Sequence, residues 1–118
     1  MIGALLAAWF GIGAVTGPAS LIDTGVPQPT SDATNAFDAA SAAFERRVVG
    51  LHPVGSDAGE LRQALAADGF RVLGETRGTW EAEREDDGFM CLLHWQVTWT
   101  EAGGLLTEVG GYHWGECL

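Results

Sequence analysis

Over residues 89–100 the chain alternates strictly. Phe89, Cys91, Leu93, Trp95, Val97 and Trp99 form one set, and Met90, Leu92, His94, Gln96, Thr98 and Thr100 the other. Successive side chains of a strand point to opposite faces. The stretch therefore predicts a strand with one apolar face and a second face that grows polar toward its end. Such a strand needs a sheet with one side covered. Glu101-Ala102-Gly103-Gly104 turns the chain into a last strand over 105–114. Upstream, 70–76 and 79–85 read as a hairpin about Arg77-Gly78, with Phe70, Val72, Trp80 and Ala82 inward, and Asp86-Asp87-Gly88 as the following turn.

The cover comes from two helical patterns. Phe37, Ala40, Phe44 and Val48 recur at helical spacing, with Thr34 or Asn35 as N-cap and Gly50 placed to end the helix. Arg46 and Arg47 then fall in the last turn, where the helix dipole favours cations. In the second pattern Ser56 or Asp57 is the N-cap, Ala58, Leu61, Ala64 and Leu65 form a narrow stripe, and Gly69 closes the helix so that Phe70 folds back on Leu65. The class is α+β: two helices packed on one face of a three- to four-stranded antiparallel sheet.

Before the domain, residues 1–22 carry no charged side chain. About twenty residues at ~1.5 Å rise suffice to span a bilayer core. The segment reads as an apolar helix, either a transmembrane anchor or a signal peptide cut after Ala19, with Gly17 and Ala19 as the small residues. Each reading has an obstacle. No basic residue precedes the apolar run, and Gly3, Gly11, Gly13, Gly17 and Pro18 weaken a helix. A buried helix of the globule is the third reading. Residues 23–36, with Pro27, Pro29 and little to bury, predict a flexible tether. The division is thus 1–22 leader or anchor, 23–36 linker and 37–118 domain.

Charge limits the partners. The net charge is −10 and the basic residues are six arginines. An acidic domain is repelled by phosphate backbones and anionic headgroups. Nucleic acid is excluded as a partner, and membrane contact is left to 1–22 if uncleaved.

The order helix–helix–strands, with GSDAGEL opening the second helix and WQVTW…GGLLTEV forming a late hairpin, resembles the outer-membrane assembly lipoproteins of the BamE/SmpA type, whose fold is shared by β-lactamase inhibitory protein. The resemblance covers about residues 51–114. It implies binding or scaffolding without catalysis, and carries over no functional residue. No Cys follows the leader, so the lipid attachment of those lipoproteins has no acceptor in this sequence.

Cys91 and Cys117 are the two cysteines, and in an exported domain of this size they read as a disulfide. If Thr100 pairs with Leu105, Trp114 lies opposite Cys91 and Cys117 sits near Gly88, so the tail must bend back or the register slip. The alternative is a zinc site, since Cys91, His94, His113 and Cys117 spell C-x2-H…H-x3-C. Against it, positions three apart on a strand lie on opposite faces. Glu81, Glu83, Glu85, Asp86 and Asp87 suggest calcium but bring no closed oxygen cage; as outer-strand charges they discourage edge pairing. No nucleophile motif gathers a serine, histidine and aspartate. Trp99, Tyr112 and Trp114 are the candidates for a partner-facing patch. The expectation is a non-catalytic, exported or membrane-tethered binding or assembly module of the cell envelope, periplasmic or otherwise extracytoplasmic, needing no cofactor and engaging another envelope protein.

Overall fold

The alternation of the central strand becomes its burial pattern. In the computed structural model, which describes residues 19–22, 34–88 and 90–118, Cys91, Leu93, Trp95, Val97 and Trp99 are all buried, and the even-numbered residues between them are half-exposed. The elements run α1 (Thr34–Leu51), α2 (Ala58–Ala67), β1 (Arg71–Thr76), β2 (Thr79–Asp87), β3 (Cys91–Ala102) and β4 (Leu105–Cys117). The four strands form one antiparallel sheet in sequential order. Two helices on an antiparallel sheet make the domain α+β, as the periodicities predict. Phe89, the apolar stretch 1–18 and the linker stretch 23–33 lie outside the described residues.

Both helices lie on the odd-numbered face of β3. Phe44 and Val48 of α1 enter one buried cluster with Leu61, Ala64 and Leu65 of α2 and with Ala82, Trp95, Val97 and Leu106 of the sheet. The edge strand β4 lets α1 approach closely through two missing side chains. A Cβ at Gly111 would stand 2.9 Å from the Phe44 ring, and one at Gly115 would stand 2.2 Å from Phe37. Any larger residue there would lift the helix from the sheet and open a void beneath it.

The caps follow the sequence in α2 and depart from it in α1. Asp57 Oδ1 accepts the Gly59 amide at 2.6 Å and that of Glu60 at 3.4 Å. At the other end, the Phe70 amide donates to the Leu65 carbonyl at 2.9 Å. Gly50 does not end α1, which continues to Leu51, with the His52 amide donating to the Val48 carbonyl at 2.9 Å. A helical Gly costs only about 1 kcal/mol relative to Ala, whereas Pro53 disfavours helical backbone in the residue before it. Arg46 and Arg47 are consequently not in the last turn.

Register is the second departure. Turn residues Gly103 and Gly104 have φ of +61° and +82°, a left-handed pair that a two-residue hairpin loop requires. The loop thus joins Ala102 to Leu105 directly, and an irregularity after Thr100 shifts the ladder once more. Cys91 ends opposite Cys117, His94 opposite Trp114 and Thr100 opposite Glu108. The expected pairing of Thr100 with Leu105 is corrected by three positions. In β1 the register shifts at Leu73; Val72 pairs with the inward Ala82 but is itself 44% exposed, as Leu73 is 49%, so Val72 faces the helix side without joining the core.

The third departure concerns the N-terminal side. Leu21 is completely buried in the core cluster. Its amide donates to Asp68 Oδ2 at 2.6 Å, the Ser20 hydroxyl donates to Asp68 Oδ1 at 3.1 Å, and Arg47 Nε donates to the Ser20 carbonyl at 2.8 Å. Ser20, Leu21 and Ile22 therefore pack on the globule. The stretch 23–33 has both flanks fixed to the same body, at Ile22 and at the start of α1. Residues 34–36, assigned to the linker by composition, are helical.

Leu21→Ala should lower the unfolding free energy by about 2–5 kcal/mol, read as a drop in the urea midpoint, while Val54→Ala at a 61% exposed position should leave the midpoint within error. Replacing Cys91 and Cys117 together by serine should cost about 3 kcal/mol, since they close a loop of sequence separation 26; mass spectrometry of the wild-type chain should show the two-hydrogen loss of the bridge.

Candidate functional site

Among the described residues the helices leave one sheet face open, and its chemistry follows from parity. On β2 the outward residues are Glu81, Glu83, Glu85 and Asp87; each is paired across with an even-numbered residue of β3, which in turn faces an even-numbered residue of β4. The row Glu85–His94–Trp114 crosses three strands, with Glu83–Gln96–Tyr112 beside it.

His94 is the centre of this face. Its ring lies over the Trp114 indole with centroids 4.7 Å apart and planes inclined by 7°. Its Nδ1 is 3.3 Å from Glu85 and its Nε2 3.0 Å from Glu116. Tyr112 extends the stack, with its centroid 5.3 Å from Trp114, and is 55% exposed. Two more of the acidic side chains on this face are held in place. Gln96 donates to Glu81, and Arg71 pairs with Glu83. The run once considered for calcium is thus divided: Asp86 points to the helix side, where it binds Arg84 at 2.6 Å, and Glu85 is engaged by His94.

The zinc set does not assemble. Cys91 and Cys117 are joined as a disulfide with Cα atoms 4.0 Å apart, which consumes both thiolates. The histidines stack on tryptophans on opposite sides of the sheet: His94 on Trp114 outside, His113 on Trp95 inside, the latter at 4.6 Å. Among the described residues no group of three or more His, Cys, Asp or Glu is placed to hold a metal.

Trp99 is the other correction. It is 1% exposed, stacks on Trp80 and donates its indole N–H to Glu101 Oε2 at 2.9 Å, which Arg62 also binds at 2.6 Å. It is a core residue, because its odd number places it with Trp95 and Val97. Tyr112 and Trp114 do share the open face. His94 belongs to the even-numbered, outward set in the sequence, but the sequence does not group it with the partner-facing candidates.

The open face is shallow. A hollow of about 190 Å³ lies at its turn end, lined by Thr79, Thr98, Thr100, Glu108 and Gly110. Enclosed small-molecule sites are usually about 300–1,000 Å³. No family profile, curated protein or solved structure matches this chain.

Two histidines away from this face are buried. His52, in the loop after α1, is 8% exposed, and His113 is 5% exposed. Burial lowers the pKa of both below the ordinary 6.5, Glu60 opposing the shift at His52. At His113 the opposing influence is the 2.7 Å bond from Nδ1–H to the His94 carbonyl. The unfolded chain therefore takes up protons first as pH falls, so this share of stability is complete above about 6.5 and is lost below it. Between pH 7 and 5 the unfolding free energy should fall more steeply for the wild type than for His113→Phe. Parallel pH profiles in paired denaturant titrations would contradict this origin.

Proposed function

We propose that this protein is a non-catalytic, exported or membrane-tethered binding or assembly module of the cell envelope, and that the open sheet face is where its partner sits. The observation that carries the reading is the stack of Tyr112 and Trp114 over His94, whose side chain keeps 12% of its surface in water, on a sheet face that no described helix covers. Aromatic residues are enriched at protein interfaces because they remove large area from water at little conformational cost. Rigid strands hold this row, and His94 is clamped by two carboxylates, so little ordering would be needed on binding.

Export is supported by two independent features. Residues 1–18 are uncharged, and the cross-strand disulfide is a bond that persists in oxidising compartments. With Ser20 and Leu21 fixed to the globule, an uncleaved leader would hold the domain close to the bilayer, without the free reach of a tether. The resemblance to the BamE/SmpA type agrees with a scaffolding role in the envelope.

A photoreactive amino acid at Tyr112, introduced in the native cells, should capture one defined envelope protein. The same group at the exposed Ala66 of α2 should not. Equal yields at the two positions would overturn the assignment of the face. Cell fractionation with N-terminal sequencing tests export; full-length protein confined to the cytosol would end that half of the proposal.

A further inference from the structure

Charge is distributed unequally between the two sides of this molecule. Of the arginines, Arg62 and Arg84 are drawn onto the helix side, over Trp80 and Trp95 at 5.9 and 5.5 Å from the ring centroids. Arg47 holds the Ser20 carbonyl, Arg46 is exposed on α1, and Arg77 sits in the β1–β2 turn. Among the described residues Arg71, paired with Glu83, is the one arginine on the open face. Against it stand Glu81, Glu83, Glu85 and Asp87 of β2, and Glu108 and Glu116 of β4. Glu85 and Glu116 keep 51% and 68% of their side-chain surface in water. Tyr112 and Trp114 thus lie on β4 between Glu108 and Glu116, with the carboxylates of β2 two strands away.

From this juxtaposition, which rests on the reading of the open face as the partner surface, we infer that the partner is a basic polypeptide segment carrying arginines. A guanidinium lies flat on an aromatic ring and forks its N–H groups onto carboxylates, whereas ammonium is a compact, strongly hydrated point charge. The exposed Tyr112 ring, with Glu83 and Gln96 in its row and Trp114, Glu116 and Glu85 beside it, presents both elements together. Size selects a polypeptide over a small cation. From Glu108 to Glu116 the strand runs about 27 Å at ~3.4 Å per residue, with acidic groups at both ends and no enclosed cavity between them. A neutral or acidic partner would leave these carboxylates desolvated without counter-charge, which is costly.

The test uses the full-length, oxidised protein in an uncharged maltoside detergent, with fluorescently labelled nona-arginine as probe. Nona-arginine should bind more tightly than nona-lysine, and nona-glutamate should not bind. The pair Tyr112→Ala and Trp114→Ala should weaken nona-arginine about tenfold, equivalent to ~1.4 kcal/mol, and so should Glu85→Gln with Glu116→Gln. Asp38→Asn with Glu60→Gln removes the same charge from exposed helix positions and should change affinity less than about twofold, within the range of a screened surface charge. Far-UV circular dichroism and the intact disulfide establish that each variant is folded; for any that is not, Glu83→Gln replaces it. Equal losses in the helix-side pair would overturn the inference in favour of unspecific attraction. Equal competition by spermine at matched charge would overturn it in favour of a free polyamine. A protein captured through position 112 that lacks a basic segment would refute this inference and leave the binding role standing, whereas no capture at all would remove both.

Discussion

The organisation of this molecule depends on β3 having two different faces. Its odd-numbered side is apolar from Cys91 to Trp99 and can be satisfied only by cover, which α1, α2 and Leu21 provide. Burial of one such side chain is worth about 1.5–3 kcal/mol, so shifting the strand by one position would forfeit the whole set at once. Once that side is fixed inward, the even-numbered side faces out, and every outward residue on β2 and β4 is assigned through the ladder. The open face is therefore a consequence of the core.

Asp68, at the C-terminal end of α2, joins three parts of the fold. Its carboxylate receives the Leu21 amide and the Ser20 hydroxyl, while its carbonyl accepts from Arg84 at 2.7 Å. A guanidinium at a helix C-terminus also meets the negative end of the helix dipole. The segment before α1, the second helix and β2 are thus held at one point. Arg84 reaches it by lying over Trp95, so its aliphatic stem and its charge both contribute.

The β3–β4 pairing carries the same Trp–His motif on each of its sides. Inside, His113 is stacked on Trp95, bonded to the His94 carbonyl and shut off from water; outside, His94 is stacked on Trp114 and held between Glu85 and Glu116. Neighbouring rows of one ladder place chemically similar pairs in opposite environments. Burial is the main influence that lowers the affinity of His113 for a proton, and repulsion from His94 acts in the same direction.

Periodicity in the sequence determined the α+β class, the hairpin at Arg77-Gly78, the start of α2 to within Ser56 or Asp57 and the inward set of β3, because each is set by contacts within a few residues. It also contained the parity that makes Trp99 a core residue, although Trp99 was grouped with Tyr112 and Trp114. Only the tertiary structure decided the register of β4. A two-residue Gly103-Gly104 loop and one irregularity move the ladder by three positions, an odd number, and so carry Trp114 from the apolar side to the open one. Likewise, nothing local distinguishes Leu21 from the apolar residues before it. Its place in the core depends on a cavity lined by residues far along the chain and on Asp68, and neither exists until the domain has folded.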